Sequence, residues 1–353
     1  MVSWRVAIST SALSVGVIGV LAATPTSAAL SHDRLGGSDR YATSALVSVE
    51  TFPDGADTVF LGSGEDYPDA LVGGAVGGHL QAPVLLTKPE SIPDVIEVEL
   101  ERLDPSVIVI LGGESAVSPE VAEAAADYGE VERLGGATRY ETALLVAESG
   151  FDAGARVAYL ASGEDFPDAL AGGVAAALDD APVLLTHPDV LSPEVATYLA
   201  DLAPERIVLL GGVEAVSESV ASAAALIAPV SRLAGADRFA TSAAISAATF
   251  TDASTVFLAD GMTFPDALSG TPLAAANDAP ILLVKGDSAS PQVCAEVRRL
   301  TPDRVVGLGG PAAVSDAVLS QVVAECTQAV LPLPKPGPTN TIGPPPAPAA
   351  SGS

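Results

Sequence analysis

The sequence predicts an α/β fold made of three tandem modules of about 99 residues, each organised around a parallel sheet. One observation is repetition, because the same motifs recur three times along the chain in the same order. The other is the alternation, within each copy, of short apolar runs with longer helical segments. This order of elements is typical of parallel strands joined by right-handed helical crossovers.

The amino-terminal segment is typical of a secretory signal peptide. Residues 1–29 carry a single basic residue, Arg5, followed by a mostly apolar run and then by small residues. We expect cleavage near Ala28 or Ala29 and export to the cell surface or cell wall. A membrane anchor is the alternative, but no stop-transfer flank follows, and no later run is long and apolar enough to span a bilayer.

The composition excludes several classes of protein. With 44 acidic and 16 basic residues the net charge is -28, which argues against a nucleic-acid-binding protein, because contacts with phosphates require a basic face. Aromatic residues make up only 4% of the chain, so stacking on bases or sugar rings is not the main means of recognition. A hydrophobic fraction of 48% excludes general disorder.

Four motifs define the repeat, and in the first copy they begin at Arg34, Tyr67, Ala82 and Leu111. They read R-L-x-G-x-x-R-[YF], [YF]-P-D-A-L, A-P-[VI]-L-L and L-G-G-x-x-A-V-S. The three copies span residues 34–132, 133–231 and 232–330. Four collinear motifs in three copies do not arise by chance.

The carboxy-terminal stretch, residues 331–353, is dense in proline. Proline prevents helix and sheet and favours an extended, solvated chain, so we expect a spacer or disordered tail. The stretch lacks the apolar segment and basic end of a sortase-type wall anchor, and covalent anchoring is therefore not expected.

The strands of the first repeat are predicted at residues 58–61, 83–87 and 107–111, because continuous apolar runs are typical of parallel strands buried on both faces. Helical segments are predicted between them, at residues 69–80 and 93–103.

Two further helix starts are predicted at Ser118 and Ser192. In each, a serine cap is followed by proline at the first helical position and then by a glutamate near the positive end of the helix dipole.

Taken together, R-L-x-G-x-x-R-[YF]-x-T and the three later motifs resemble the cell-wall-binding repeat type 2 family, and the likeness covers essentially all of residues 34–330. The resemblance implies Toprim-like α/β modules, three of them packed around a pseudo-threefold axis. It also implies noncovalent anchoring of surface proteins to an anionic wall polymer. The family often couples the triplet to a separate effector domain, which we do not expect here.

The few cations concentrate at three repeated positions, the third of which directly follows a repeated strand. These positions hold Arg34, Arg133 and Arg232; Arg40, Arg139 and Arg238; and Lys88, His187 and Lys285. Arginine grips phosphate or carboxylate with two parallel hydrogen bonds, so these residues are candidate polymer contacts. The alternative is an internal role, in which each arginine pairs with a neighbouring acid.

The aspartates of the second motif, Asp69, Asp168 and Asp266, have two interpretations. They cap the following helix, or they contact a ligand at the carboxyl end of a parallel sheet. In the first two repeats they follow other acids that suit a divalent cation, namely Glu65 and Asp66, and Glu164 and Asp165. The third repeat has Met262 and Thr263 there, so we predict no metal site and no cofactor, while a divalent cation bridging acids to polymer stays open.

The Gly-Gly pairs of the fourth motif precede a capped helix, where backbone amides can receive an anion. A tight turn between strand and helix is the alternative. The sequence has no P-loop and no full G-x-G-x-x-G motif, so nucleotide binding has little support.

A catalytic site is not predicted. His32, His79 and His187 do not share a repeated position, and neither a catalytic triad motif nor the Asp-x-Asp pair of a Toprim active site is found. Cys294 and Cys326 occur only in the third repeat, and in an exported protein we expect them to form a disulfide.

These observations predict a secreted, noncatalytic monomer with an internal pseudo-trimer, which attaches to an anionic wall glycopolymer through arginine-lined sites. The negative charge of the chain opposes such a partner, but salt screens repulsion beyond about 10 Å. The two alternatives are a wall-active hydrolase and a structural or adhesive surface protein that binds another protein.

Overall fold

The computed structural model describes residues 30–66, 68–151, 154–165, 167–263 and 265–326. The predicted signal peptide and the proline-rich stretch at 331–353 lie outside these residues. Within the described ranges, none of the helices has the length and apolar character needed to cross a membrane.

The first repeat alternates strands and helices. Its elements are β1 (Ser31–Leu35), α1 (Arg40–Thr51), β2 (Thr58–Ser63), α2 (Pro68–Leu80), β3 (Val84–Thr87), α3 (Asp94–Leu103), β4 (Val107–Leu111) and α4 (Pro119–Ala125). The three predicted strands and both predicted helices are therefore confirmed, with shifts of one or two residues at their ends.

The second repeat follows the same order. Its elements are β5 (Glu130–Leu134), α5 (Arg139–Gly150), β6 (Val157–Ser162), α6 (Pro167–Leu178), β7 (Val183–Thr186), α7 (Pro193–Leu202), β8 (Arg206–Leu210) and α8 (Glu218–Ala224).

The third repeat ends with a short π-helical turn, Val322–Cys326, after its last helix. Its other elements are β9 (Val230–Leu233), α9 (Arg238–Thr249), β10 (Thr255–Asp260), α10 (Pro265–Ala276), β11 (Ile281–Val284), α11 (Pro291–Leu300), β12 (Arg304–Leu308) and α12 (Asp316–Gln321).

Serine caps begin two of these helices as predicted. The hydroxyl of Ser118 accepts a hydrogen bond from the amide of Val121 (3.4 Å), and that of Ser192 accepts one from Val195 (3.3 Å). Each cap satisfies an amide that has no partner within the helix.

The strands form three parallel sheets of four strands each, in the orders β3-β2-β4-β5, β7-β6-β8-β9 and β11-β10-β12-β1. The fourth strand of each sheet comes from the beginning of another repeat. β1 completes the third sheet by pairing with β12, from Ser31 opposite Arg304 to Leu35 opposite Leu308. The two ends of the described chain are thereby joined in one sheet.

Three apolar helices meet at the centre, because α2, α6 and α10 each contact the other two. The equivalent residues Gly78, Ala177 and Ala275 come together there. A Cβ atom on Gly78 would lie 2.7 Å from the Ala177 Cβ and 3.3 Å from the Ala275 Cβ, so only glycine allows this approach. The meeting of equivalent positions is what pseudo-threefold packing requires, and the predicted α/β fold of three parallel-sheet modules is confirmed.

The predicted disulfide between Cys294 and Cys326 is present. It ties the π-helical turn that follows α12 to the middle of α11, across a sequence separation of 32 residues. A loop of this length corresponds to a stabilisation of about 4 kcal/mol through restriction of the unfolded chain.

Candidate functional site

The repeated motifs converge at the carboxyl ends of the strands. Gly64 follows β2 and donates its amide to the carbonyl of Thr87 at the end of β3 (2.8 Å), directly before Lys88. Gly112 follows β4 and donates its amide to the carbonyl of Leu134 at the end of β5 (2.8 Å). We refer to this face of the molecule as the carboxyl edge.

The first row of arginines braces this edge. Arg34, Arg133 and Arg232 each donate from Nη1 to the carbonyl of the first glycine in a Gly-Gly pair, at 2.8, 2.9 and 3.0 Å. That glycine directly follows the adjacent strand of the same sheet and belongs to a different repeat, so each arginine links two repeats.

Nη2 of two of these arginines also reaches a carboxylate. Arg34 lies 2.7 Å from Asp316, and Arg232 lies 3.2 Å from Glu218, whereas Arg133 donates to the carbonyl of Ser118 at 3.5 Å. Both acids are largely exposed at the start of a helix. The contacts match the internal role that the sequence left open for this row.

The arginines of the second row are the first residues of α1, α5 and α9, and each points to the sheet of its own repeat. Arg139 and Arg238 donate from Nη1 to the carbonyls of Gly163 and Gly261, at 2.7 and 2.8 Å, and Arg40 donates to that of Gly64. Nη2 of Arg238 also lies 3.6 Å from Asp165, which belongs to the preceding repeat.

The repeated aspartates lie in the first turn of the central helices and face the next repeat. The hydroxyls of Thr142, Thr241 and Thr43 lie beside the carboxylates of Asp69, Asp168 and Asp266, respectively, and each hydroxyl lowers the pKa of its aspartate. These threonines are almost fully buried.

The threonines also fix the loop before their helix, because Oγ1 of Thr43, Thr142 and Thr241 accepts the amide of Gly37, Gly136 and Gly235 at 3.1, 3.1 and 3.0 Å. These threonines are the last residue of R-[YF]-x-T in each repeat, but the sequence alone did not lead us to predict a role for them. A threonine repeated at a fixed distance from an arginine is the signal that could have identified them.

We call the meeting of two repeats at these side chains a junction. The 1/2 junction joins Asp69 to Arg139 and Thr142, the 2/3 junction joins Asp168 to Arg238 and Thr241, and the 3/1 junction joins Asp266 to Arg40 and Thr43. The three junctions close a ring.

Burial raises the pKa of all three aspartates. For Asp168, burial and the nearby Asp165 raise the pKa to about 6, against the opposing effects of the Thr241 hydroxyl and the Arg238 guanidinium. The charge of the arginine in the following repeat lowers the aspartate pKa at each junction.

The turn of each Gly-Gly pair is shaped around this carboxylate. Gly112, Gly211 and Gly309 have φ angles of 104°, 95° and 92°, and a side-chain carbon at any of them would collide with the aspartate. Their amides donate to the neighbouring strand. The geometry is that of the tight turn between strand and helix.

Open clefts lie beside two junctions. The cleft at the 2/3 junction has a volume of about 690 Å³, and Asp168, Arg238 and Thr241 are part of its wall. The cleft at the 3/1 junction has a volume of about 190 Å³ and includes Asp266, Arg40 and Thr43.

The third row of cations is exposed at the carboxyl edge. The His187 ring lies 4.0 Å from the Tyr140 ring, centroid to centroid, and its Nδ1 lies 3.8 Å from Glu164. Lys88 and Lys285 form no ion pair with a residue that the structure describes.

The acidic loops after β2, β6 and β10 differ between repeats. Ser63 accepts the amides of Glu65 and Asp66, and Ser162 accepts that of Glu164. In the third repeat the serine is replaced by the buried Asp260. The described residues contain no group of three or more His, Cys, Asp and Glu side chains that could hold a metal ion.

The three repeats match the family described as Cell wall binding domain 2 (CWB2), over residues 34–122, 133–221 and 232–319. The chain belongs to this family. Membership supports a cell-wall-binding protein and confirms the resemblance that the four motifs indicated.

Two curated relatives come from Bacillus subtilis (strain 168). The chain is 31% identical to an amidase enhancer over 77% of its own length and 37% of the relative. It is 27% identical to N-acetylmuramoyl-L-alanine amidase LytC, over 88% of its length and 62% of the relative. The chain thus spans less than two thirds of either relative.

Two solved structures from Clostridium difficile share the fold. Cwp6 matches this chain with a TM-score of 0.79 at 26% identity, and the match covers 85% of this chain and 48% of the Cwp6 chain. Cwp8 matches with a TM-score of 0.75 at 29% identity, and the match covers 84% of this chain and 52% of the Cwp8 chain. Family and relatives together indicate a protein associated with the cell wall or the cell surface.

Proposed function

We propose that the chain attaches noncovalently to an anionic glycopolymer of the cell wall, through the junctions and the exposed cations of the carboxyl edge, and has no catalytic activity of its own. The observation that carries the proposal is the junction itself. Each one brings an arginine of one repeat to the carboxyl edge of the preceding repeat, and open clefts lie beside the junctions at Arg238 and Arg40.

The fold supports a ligand at this edge. In parallel α/β sheets, ligands bind beyond the carboxyl ends of the strands, where loops and helix N-termini face solvent. Arg139 and Arg238 each hold a carbonyl of their own repeat, so their guanidinium groups are fixed in place before a ligand arrives. Such preorganisation lowers the entropic cost of binding.

The exposed cations extend the site. Lys88, His187 and Lys285 follow the outer strand of their sheets at the same edge as the junctions. Several weak contacts on one rigid ring sum to useful affinity for a repetitive polymer, because each further contact is made at high effective concentration.

The histidines and cysteines support the absence of catalysis. His32 lies on β1, His79 pairs with Asp180 at the end of α2, and His187 packs on Tyr140. The two cysteines are bonded to each other. The described residues therefore do not combine a histidine with a cysteine nucleophile.

The test is sedimentation with purified native wall and with wall stripped of its anionic polymers. We expect the protein to sediment with native wall and to remain in solution with stripped wall. Equal binding to both would contradict the proposal and favour a protein or peptidoglycan partner, and release of wall fragments would favour the hydrolase.

A pair of variants tests the carboxyl edge with matched charge. K88Q/K285Q removes two exposed cations from this edge, while R156Q/R206Q removes two exposed cations from the amino ends of β6 and β8. We expect only the first variant to bind native wall more weakly. Equal effects would mean that net charge rather than the carboxyl edge governs attachment.

A further inference from the structure

The junctions differ in charge. The cleft at the 2/3 junction is lined by five carboxylates against one guanidinium, namely Glu164, Asp165, Asp168, Glu214 and Asp237 against Arg238. The cleft at the 3/1 junction is lined by two carboxylates, Asp39 and Asp266, against Arg40. A polyanion therefore meets much stronger repulsion at the 2/3 junction than at the 3/1 junction.

The difference comes from the third repeat. Met262 and Thr263 replace the glutamate and aspartate that follow the serine in the other repeats, and Ala312 occupies the position of Glu214. Met262, Thr263 and Ala312 are exposed, so these replacements change the surface and not the core. The first repeat keeps the two acids of the loop after β2, Glu65 and Asp66, and has Ser115 at the position of Glu214.

Asp260 does not restore the lost charge at the cleft. It is buried, its Oδ1 accepts the amide of Met262 at 3.1 Å, and its Oδ2 accepts the hydroxyl of Thr263 at 2.9 Å. The carboxylate thus holds the loop in shape and lies outside the residues that line the 3/1 cleft.

We propose that the 3/1 junction is the principal site for an anionic group of the wall polymer, a phosphate or a carboxylate, and that the 1/2 and 2/3 junctions contribute less. This inference rests on the proposed function and specifies which of the three junctions binds the polymer most strongly. The absence of carboxylates at positions 262, 263 and 312 is then what makes this junction suitable for an anion.

Two further features suit this class of ligand. The helices α1 and α10 both begin at the 3/1 cleft, with Arg40 and Pro265, and their N-termini favour negative charge. The volume of about 190 Å³ admits one phosphate or carboxylate group with its linkage, in contrast to the wider 2/3 cleft.

The test is a reciprocal exchange of the loop residues in the full chain. The probes are oligo(glycerol phosphate) and oligogalacturonate, which present phosphate and carboxylate separately, and binding is measured by calorimetry. We expect the wild type to bind at least one probe, and M262E/T263D to weaken that binding about tenfold or more.

Because Thr263 also bonds to Asp260, a second variant on the opposite wall of the cleft guards against a local folding defect. A312E introduces one carboxylate at an exposed position and should weaken binding in the same direction. The converse exchange, E164M/D165T, should leave the site at the 3/1 junction intact. It should raise the affinity for the probe or add a second binding site at the 2/3 junction.

Unchanged binding by both M262E/T263D and A312E, with the wild type binding a probe, would overturn the inference and leave the proposed function standing. If the wild type binds neither probe, the inference fails as well, and sedimentation with native wall shows separately whether the proposed function survives.

Discussion

The carboxylate of Asp168 lies beside the hydroxyl of Thr241, which belongs to the following repeat and lowers the pKa of the aspartate. The same relationship holds at the other two junctions, including the one between the third repeat and the first. Three partly buried carboxylates thus have polar neighbours that another repeat supplies, and the junctions are contacts between repeats as well as candidate binding sites.

The first prediction concerns pH. Burial raises the pKa of Asp168 to about 6, above its value in the unfolded chain. The folded state therefore binds this proton more tightly, and the stability contributed by the group is present below about pH 4 and is lost as the pH rises through about 6. The wild type should lose roughly 3 kcal/mol relative to D168N over this window.

Urea unfolding of both proteins between pH 4 and pH 8 measures this difference. Parallel pH profiles for the wild type and D168N would show that Asp168 titrates as an ordinary surface aspartate, which contradicts the geometry of the junction.

The second prediction concerns Thr241. T241V removes the hydroxyl that accepts the Gly235 amide and lies beside Asp168, while it keeps the shape of the side chain. We expect a loss of about 1–3 kcal/mol in the free energy of unfolding, because the Gly235 amide loses its acceptor and the Asp168 carboxylate loses a polar neighbour in a buried place. T241S keeps the hydroxyl and should lose less. Equal stability of the two variants would argue against a polar contact at this junction.

The third prediction concerns the central axis. G78V places a branched side chain where even a Cβ atom meets Ala177 at 2.7 Å, so we expect a loss of about 2 kcal/mol or more. G212V is the matched control, since an added Cβ there has no neighbour within 4 Å. Thermal unfolding compares them, and similar melting temperatures would contradict the close approach of the three helices.

The fourth prediction concerns closure of the ring by β1. R34A removes the contacts of Arg34 with Gly309 and Asp316 and should cost about 1–3 kcal/mol. R156A removes an exposed ion pair with Glu205 and should cost less than about 1 kcal/mol. Hydrogen exchange of the β1 amides should accelerate only in R34A. Equal exchange in the two variants would mean that Arg34 does not hold β1 in place.

The sequence predicted most of the fold because its buried strands are continuous apolar runs and its helices carry clear caps. It did not predict β1, β5 and β9. The β5 segment contains Glu130 and Glu132 and is only partly buried, so its composition is not that of a buried strand. Its pairing with β4 follows from the meeting of repeats, which no local pattern records.

The candidate site was likewise predicted only in part. Repetition identified the positions of the arginines and aspartates, but their partners lie in other repeats, as with Arg34 and Gly309 or Asp69 and Thr142. The sequence alone therefore left open whether the arginines bind a polymer or brace the fold. In the structure the first row contacts glycine carbonyls of another repeat, and we propose the second row and the exposed cations as the polymer contacts.

Calorimetric titration of the protein with anionic polymer purified from its own wall, at low and high salt, measures directly whether the protein binds such a polymer. We expect saturable binding that weakens as salt rises, because the contacts are charged. Absence of binding at low salt, with undiminished attachment to wall stripped of that polymer, would contradict the proposed function.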